Sequence, residues 1–229
     1  MLALAALLAA TIVAPVRADA GVSLGLSSWY AWWDVSPDND YSVDPKPLFG
    51  PVLGVDFAER WSLTSVLLVG TYHAKNDTDP EYTYRRYDSD TALNYSLSRY
   101  LKAFAAFKYM RYDTSRDQLD RDVKQISYGP GIGVGFTLPL SDSLFAIANV
   151  SAMYLFGLQR DPWADWVEVG LNSALGLAYY ITPIATTITA GVRYQYFETR
   201  AADGDTKHTF YGVTLAAVWH FSTGSSDGE

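Results

Sequence analysis

Read in alternate steps, the stretch from His208 to Phe221 sets Tyr211, Val213, Leu215, Ala217, Trp219 and Phe221 in one apolar row. The other row, Phe210, Gly212, Thr214, Ala216, Val218 and His220, is smaller or more polar. Successive side chains of a β-strand point to opposite faces, so a period of two sorts the chain between two solvents. An apolar row ending in an aromatic suits acyl chains, and the other row suits an interior. This is the pattern of a strand in a transmembrane β-barrel.

The same alternation recurs from Gly21 onward, interrupted by polar, Asp-rich breaks. It predicts ten strands, roughly 21–34, 46–58, 60–73, 86–98, 101–112, 124–138, 143–157, 165–180, 184–198 and 207–221. In strand six, Ile126, Tyr128, Pro130, Ile132, Val134 and Phe136 alternate with Ser127 and the glycines at 129, 131, 133 and 135. Strands three and seven are apolar on both faces, which leaves their parity open. The connections come in two sizes. Ala58–Trp61, Leu97–Tyr100, Leu138–Ser143 and Tyr180–Ile184 are tight, whereas the breaks near 35–45, 74–85, 113–123, 158–164 and 199–206 are longer and hydrophilic. The long breaks, with their edges, hold 16 of the 25 Asp and Glu residues. The expectation is an all-β fold: a single antiparallel transmembrane barrel of ten strands, with short periplasmic turns, longer extracellular loops and both termini periplasmic.

Composition agrees where it discriminates. Seventeen Tyr, ten Phe and seven Trp make an aromatic share of 15%, enough for girdles at two membrane interfaces. Cysteine is absent, which removes disulfides, thiol catalysis and thiolate metal sites. A net charge of −8 offers no basic stripe for nucleic acid. Residues 1–20 read as a signal peptide, with an apolar run to Ala14 and Ala18-Asp19-Ala20 as a small-x-small cleavage site. The barrel then occupies 21–221 and a short polar tail 222–229. A soluble β-sandwich also alternates, but its strands are about five to six residues, far shorter than these runs.

In strand pattern, loop asymmetry and aromatic-ended last strand, the chain resembles Gram-negative outer-membrane β-barrel proteins over its whole mature length. The resemblance implies residence in the outer membrane, contact with its lipid and lipopolysaccharide, and insertion by the barrel assembly machinery. Phe221, with Tyr211 and Trp219, matches the assembly signal, although here the chain continues to Glu229.

Candidate chemistry lies inside the barrel. If Tyr87, Thr91, Leu93, Tyr95 and Leu97 face lipid, then Arg86, Asp88, Asp90, Asn94 and Ser96 face the lumen. Counting back through the turn at Arg99 sets Lys108 beside Ala92, diagonal to Asp90. Glu168, Asn172, Arg193 and Gln195 face inward from the other wall, with Asn172 near Arg193. Opposed charges in a narrow lumen either lock it shut or line a polar path. The function expected is a small porin or channel-like protein for small solutes or ions, without cofactors. The alternative is a closed structural or adhesin-like barrel that binds partners through acidic loops.

A surface hydrolase is the third reading. Omptin proteases also have ten strands and use a paired-acid motif facing an Asp–His pair, and Asp88-Ser89-Asp90 is such a pair of acids. Asp205 and His208, however, are separated by two residues rather than one. Asp38, Asp40 and Asp44 space oxygen ligands for calcium but lack the glycine and terminal glutamate of an EF-hand. Gly21–Gly25 and Gly131–Gly135 match glycine-rich catalytic or phosphate motifs only as strings, since each lies within a strand.

Overall fold

The computed structural model describes residues 21–36, 42–75, 82–116, 119–160, 163–202 and 204–222. Ten long strands run β1 (Gly21–Ser36), β2 (Lys46–Ala58), β3 (Trp61–Lys75), β4 (Tyr82–Ser96), β5 (Leu101–Arg116), β6 (Leu119–Pro139), β7 (Leu144–Arg160), β8 (Trp163–Ile181), β9 (Thr186–Ala201) and β10 (Gly204–Ser222). Each pairs antiparallel with its neighbours in sequence, and β1 pairs with β10 from Gly21–Ser222 to Ser36–Lys207. The sheet is therefore a closed ten-strand barrel with no free edge, the condition for a β-structure to sit in hydrocarbon. A two-residue strand, Ser42–Val43, adds to the upper edge of β3. The proposed signal segment and the tail beyond Ser222 lie outside the described residues, as do Asp38 and Asp40.

Alternation decides which residues face lipid. Tyr211, Val213, Leu215, Trp219 and Phe221 are exposed on the outer face, and Phe210 is buried inside. The parity left open by two-sided hydrophobicity is settled by the same test. In β3, Leu68 and Tyr72 point inward while Leu63 and Leu67 point out; in β7, Ser151, Met153 and Leu155 point inward while Val150, Tyr154 and Phe156 point out.

Two of the short turns share one device. Ser98 Oγ accepts hydrogen bonds from the N–H groups of Tyr100 and Leu101, both at 3.2 Å. Ser141 Oγ accepts from Ser143 and Leu144 at 3.4 and 3.1 Å. A serine hydroxyl thus takes the orphaned donors of a four-residue turn. Ile184, expected to open strand nine, instead ends a 3₁₀ turn (Thr182–Ile184) closed by Ala185 in the left-handed region at φ 44°.

The longer connections at the other end keep much of their length paired. β5 continues to Arg116 and β6 begins at Leu119, so the stretch near 113–123 is largely a hairpin. The polar residues there sit on strands that outrun the bilayer, since about 9–11 tilted residues suffice to cross it. The 21 residues of β6 are roughly twice that.

Candidate functional site

The four-residue turn at Leu97–Tyr100 sets the register of β4 against β5, pairing Ser96 with Lys102 and Asp90 with Lys108. The sequence count had set Lys108 beside Ala92; the correction is two residues, because Leu97 belongs to the turn. Lys108 Nζ therefore meets Asp90 directly at 3.1 Å and also bonds Asp88.

On the opposite wall, β9 carries Arg193 and Gln195. β4 and β9 lie five strands apart in a ring of ten, so they face each other across the full width of the lumen. Contacts span that gap at two levels, joined by Arg193 Nη2 lying 3.9 Å from Asp88 Oδ1. Arg86 Nη2 donates to Gln195 Oε1 at 2.8 Å while also pairing with Asp88. One level nearer the short turns, Arg193 Nη2 meets Asp90 Oδ2 at 2.5 Å and its Nε donates to Asn172 Oδ1 at 3.1 Å. Together these contacts make a two-tier strut.

Aromatic and aliphatic side chains fill the space on both sides of the strut. From β1, β2, β3 and β10 come Trp29, Ala31, Trp33, Leu48, Leu68, Tyr72 and Phe210; from β5, β7 and β9 come Met110, Met153, Leu155 and Phe197. The Arg86 guanidinium lies 3.8 Å from the Phe210 ring centre and 5.5 Å from that of Trp29, and Arg193 lies 4.7 Å over Trp29. A desolvated cation over an aromatic face is favourable by about 2 kcal/mol. Trp33 stacks on Phe210 and Tyr112 and meets Tyr72 and Tyr84 edge-on. Part of the aromatic complement expected at the membrane interfaces lies in the lumen instead. Phe210, grouped from sequence with a smaller, more polar row, is part of a lumenal core.

A second polar node seals the β6–β8 side. Glu168 Oε1 accepts from Ser127 Oγ at 2.7 Å and from Trp166 Nε1 at 2.6 Å. Glycine makes room for these inner side chains. A Cβ on Gly157 would lie 1.9 Å from the Trp166 ring nitrogen, and one on Gly133 would lie 2.4 Å from Phe104. On β6, Gly131, Gly133 and Gly135 receive Met153, Phe104 and Lys102, while Gly129 lies against the backbone of Tyr154 and Leu155. Asn94 stays apart from the strut: its Nδ2 donates within the β3–β4 wall to Ser62 O, Thr64 Oγ1 and Ala92 O at 3.2–3.4 Å.

Burial is asymmetric along the barrel axis. Arg86, Asp88 and Lys108 are 0–1% exposed, whereas Asp90 is 28% and Arg193 11% exposed. The lower strut thus borders the short-turn half of the lumen, where Ser27, Thr64, Thr189, Gly191, Thr214 and Ala216 point inward and are half-buried. Among the described residues the seal is made wholly of side chains, with no loop or helix folded into the lumen.

The hydrolase candidates are not assembled as a catalytic set. Asp88 and Asp90 are engaged by cations, and His208 Nδ1 accepts from Trp33 Nε1 at 3.3 Å. Asp205 pairs across the hairpin with Arg200. Of the calcium candidates, Asp44 is described, and its backbone N–H bonds His73 O at 3.2 Å. Sequence reasoning missed Trp29, Trp33, Tyr72, Phe197, Ser127 and Trp166; the signal was the placement of Trp29, Ala31 and Trp33 on the parity opposite to Tyr30 and Trp32.

A closed antiparallel ring of ten long strands with an apolar outer face has the architecture of a transmembrane β-barrel. No protein-family model matches the chain, and no curated protein matches it in sequence. Among solved structures it is similar to the outer membrane protease OmpT from Escherichia coli, with 11% identity, 89% of this chain and 96% of that chain covered, and a TM-score of 0.56. It is also similar to the beta domain of the Bordetella autotransporter BrkA, with 11% identity, 90% and 100% covered, and a TM-score of 0.51. At such identities the likeness is one of fold. An outer membrane channel from Pseudomonas putida F1 aligns more loosely, at 10% identity over 92% and 98% of the chains, with a TM-score of 0.46.

Proposed function

We propose that this protein is an outer-membrane barrel of the channel class, held closed at rest by its lumenal strut, that passes small polar solutes or ions when the strut is displaced. The observation carrying this reading is the construction of the seal. It is made of side chains alone, above a periplasmic half whose β1, β3, β9 and β10 walls carry small and hydroxyl-bearing residues, faced by Lys102 and Phe104 from β5. Side chains can change rotamer without refolding the wall, and paired charges that release each other leave groups able to hold water or ions. The reading places the protein in the outer membrane and gives it no catalytic residues or cofactor.

Planar-bilayer recording of the refolded protein tests it. Wild type is expected to conduct in rare, brief openings, and Trp29→Ala combined with Arg86→Ala to conduct steadily. If neither opens while both show the heat-dependent gel shift of a folded barrel, the closed structural reading replaces this one.

A further inference from the structure

On the outer wall, a groove of about 680 Å³ runs across β4–β8. It lies between two rows of the sheet: Leu93, Ala105, Ile132, Ala152 and Leu171 in one, and Tyr95, Ala103, Val134 and Val150 in the next. The alanines form its floor, and Leu93, Ile132 and Leu171 stand above it as exposed walls. Because barrel strands are tilted, a row perpendicular to them climbs obliquely from the membrane edge toward the middle of the wall.

The low end of this groove is marked. Trp61 and Tyr95 line it with ring centres 4.8 Å apart, close to the periplasmic turns, where aromatic rings sit at headgroup depth. Two of those turns meet there, tied by the Ser96 N–H to Arg60 O bond at 2.9 Å. One presents Arg60 and the other Arg99, both exposed, with the Arg99 guanidinium 4.5 Å over the Tyr100 ring. Glu59 shares the first turn and Asp142 sits on the next turn along. A planar guanidinium binds phosphate oxygens in pairs, in the fork geometry it also offers to carboxylates.

We infer that the groove and the Arg60–Arg99 corner form a site for one anionic phospholipid, with an acyl chain lying over Ala105 and Ala152 and the phosphate held by the two guanidinia. The inference depends on the membrane-spanning fold and is independent of whether the lumen opens.

Native mass spectrometry from micelles holding equal phosphatidylglycerol and phosphatidylcholine of matched chains tests it. Wild type is expected to retain one phosphatidylglycerol. Retention falls about fivefold for each of Arg60→Ala and Arg99→Ala, the ratio expected for one basic residue at an anionic surface. Ala105→Phe, which fills the floor and leaves both arginines, lowers retention of either lipid. All three changes lie on the lipid or water surface and leave the barrel core alone. Equal retention of the two lipids by wild type overturns the inference. So does disulfide cross-linking between copies of Ala105→Cys in the membrane, which would assign the groove to a second copy of the chain.

Discussion

Asp90 and Arg193 meet at 2.5 Å although their strands stand on opposite sides of a ten-strand ring. A contact between diametric strands fixes the width of the lumen at that level, because neither strand can move outward without breaking it. Breaking one partner of a buried pair costs about 3–5 kcal/mol, since the remaining charge stays behind without its counter-ion. Asp90 is 28% exposed, so water recovers part of that loss. Arg193→Ala is therefore expected to lower unfolding free energy in lipid vesicles by about 3 kcal/mol, the low end of the range. The Asp90→Ala, Arg193→Ala double variant should lose less than the sum of the single changes. Strict additivity in urea titrations would mean that the two residues do not act as a pair.

Trp32 and Trp33 are adjacent in sequence and face different media. Trp33 is 8% exposed at the centre of the aromatic cluster, whereas Trp32 lies on the outer wall, stacked on Tyr211 at 5.8 Å. Trp33→Ala opens a cavity and is expected to cost about 3–5 kcal/mol. Trp32→Ala removes one lipid-facing ring and should cost about 1 kcal/mol or less. Equal losses in the same denaturant series would invert the assigned parity of β1.

Gly133 is constrained by Phe104 on β5. A Cβ there would lie 2.4 Å from both the Phe104 ring and Val150 O. Gly133→Leu is expected to reduce the yield of folded barrel sharply. Adding Phe104→Ala restores part of it, since the ring conflict goes and the backbone conflict stays. The check is the fraction showing the heat-dependent gel shift after refolding.

The chain has no cysteine, so single-cysteine variants report topology without background. Ala202→Cys, in the exposed turn between β9 and β10, should react with a membrane-impermeant maleimide on intact cells. Arg99→Cys, in the β4–β5 turn, should react only after the outer membrane is permeabilised. The opposite pattern would turn the barrel over.

The wall of this barrel was legible in the sequence because its signal is local. Tyr211 to Phe221 declares its two faces without reference to any other strand, and nine further runs do the same. The inward direction of Arg86, Asp88, Glu168 and Arg193 followed from parity alone. What parity does not carry is which inward residues meet. Asp90 and Arg193 are 103 positions apart, and their encounter depends on the number of strands that close the ring. The aromatic filling was hidden by ambiguity of type. Tryptophan serves equally at a membrane interface and in a packed interior, so composition could not separate Trp32 from Trp33. Register depended on a single residue: whether Leu97 belonged to the strand or to the turn decided Lys108's partner.

The strands that outrun the bilayer give the outer end a particular character. With β5 and β6 paired up to Arg116 and Leu119, the rim there is backbone held in a ladder. A partner that reached this end would meet strand backbone paired up to Arg116 and again from Leu119. Such a surface gives up the adaptability of long free loops and gains a shape that can be recognised without first being ordered.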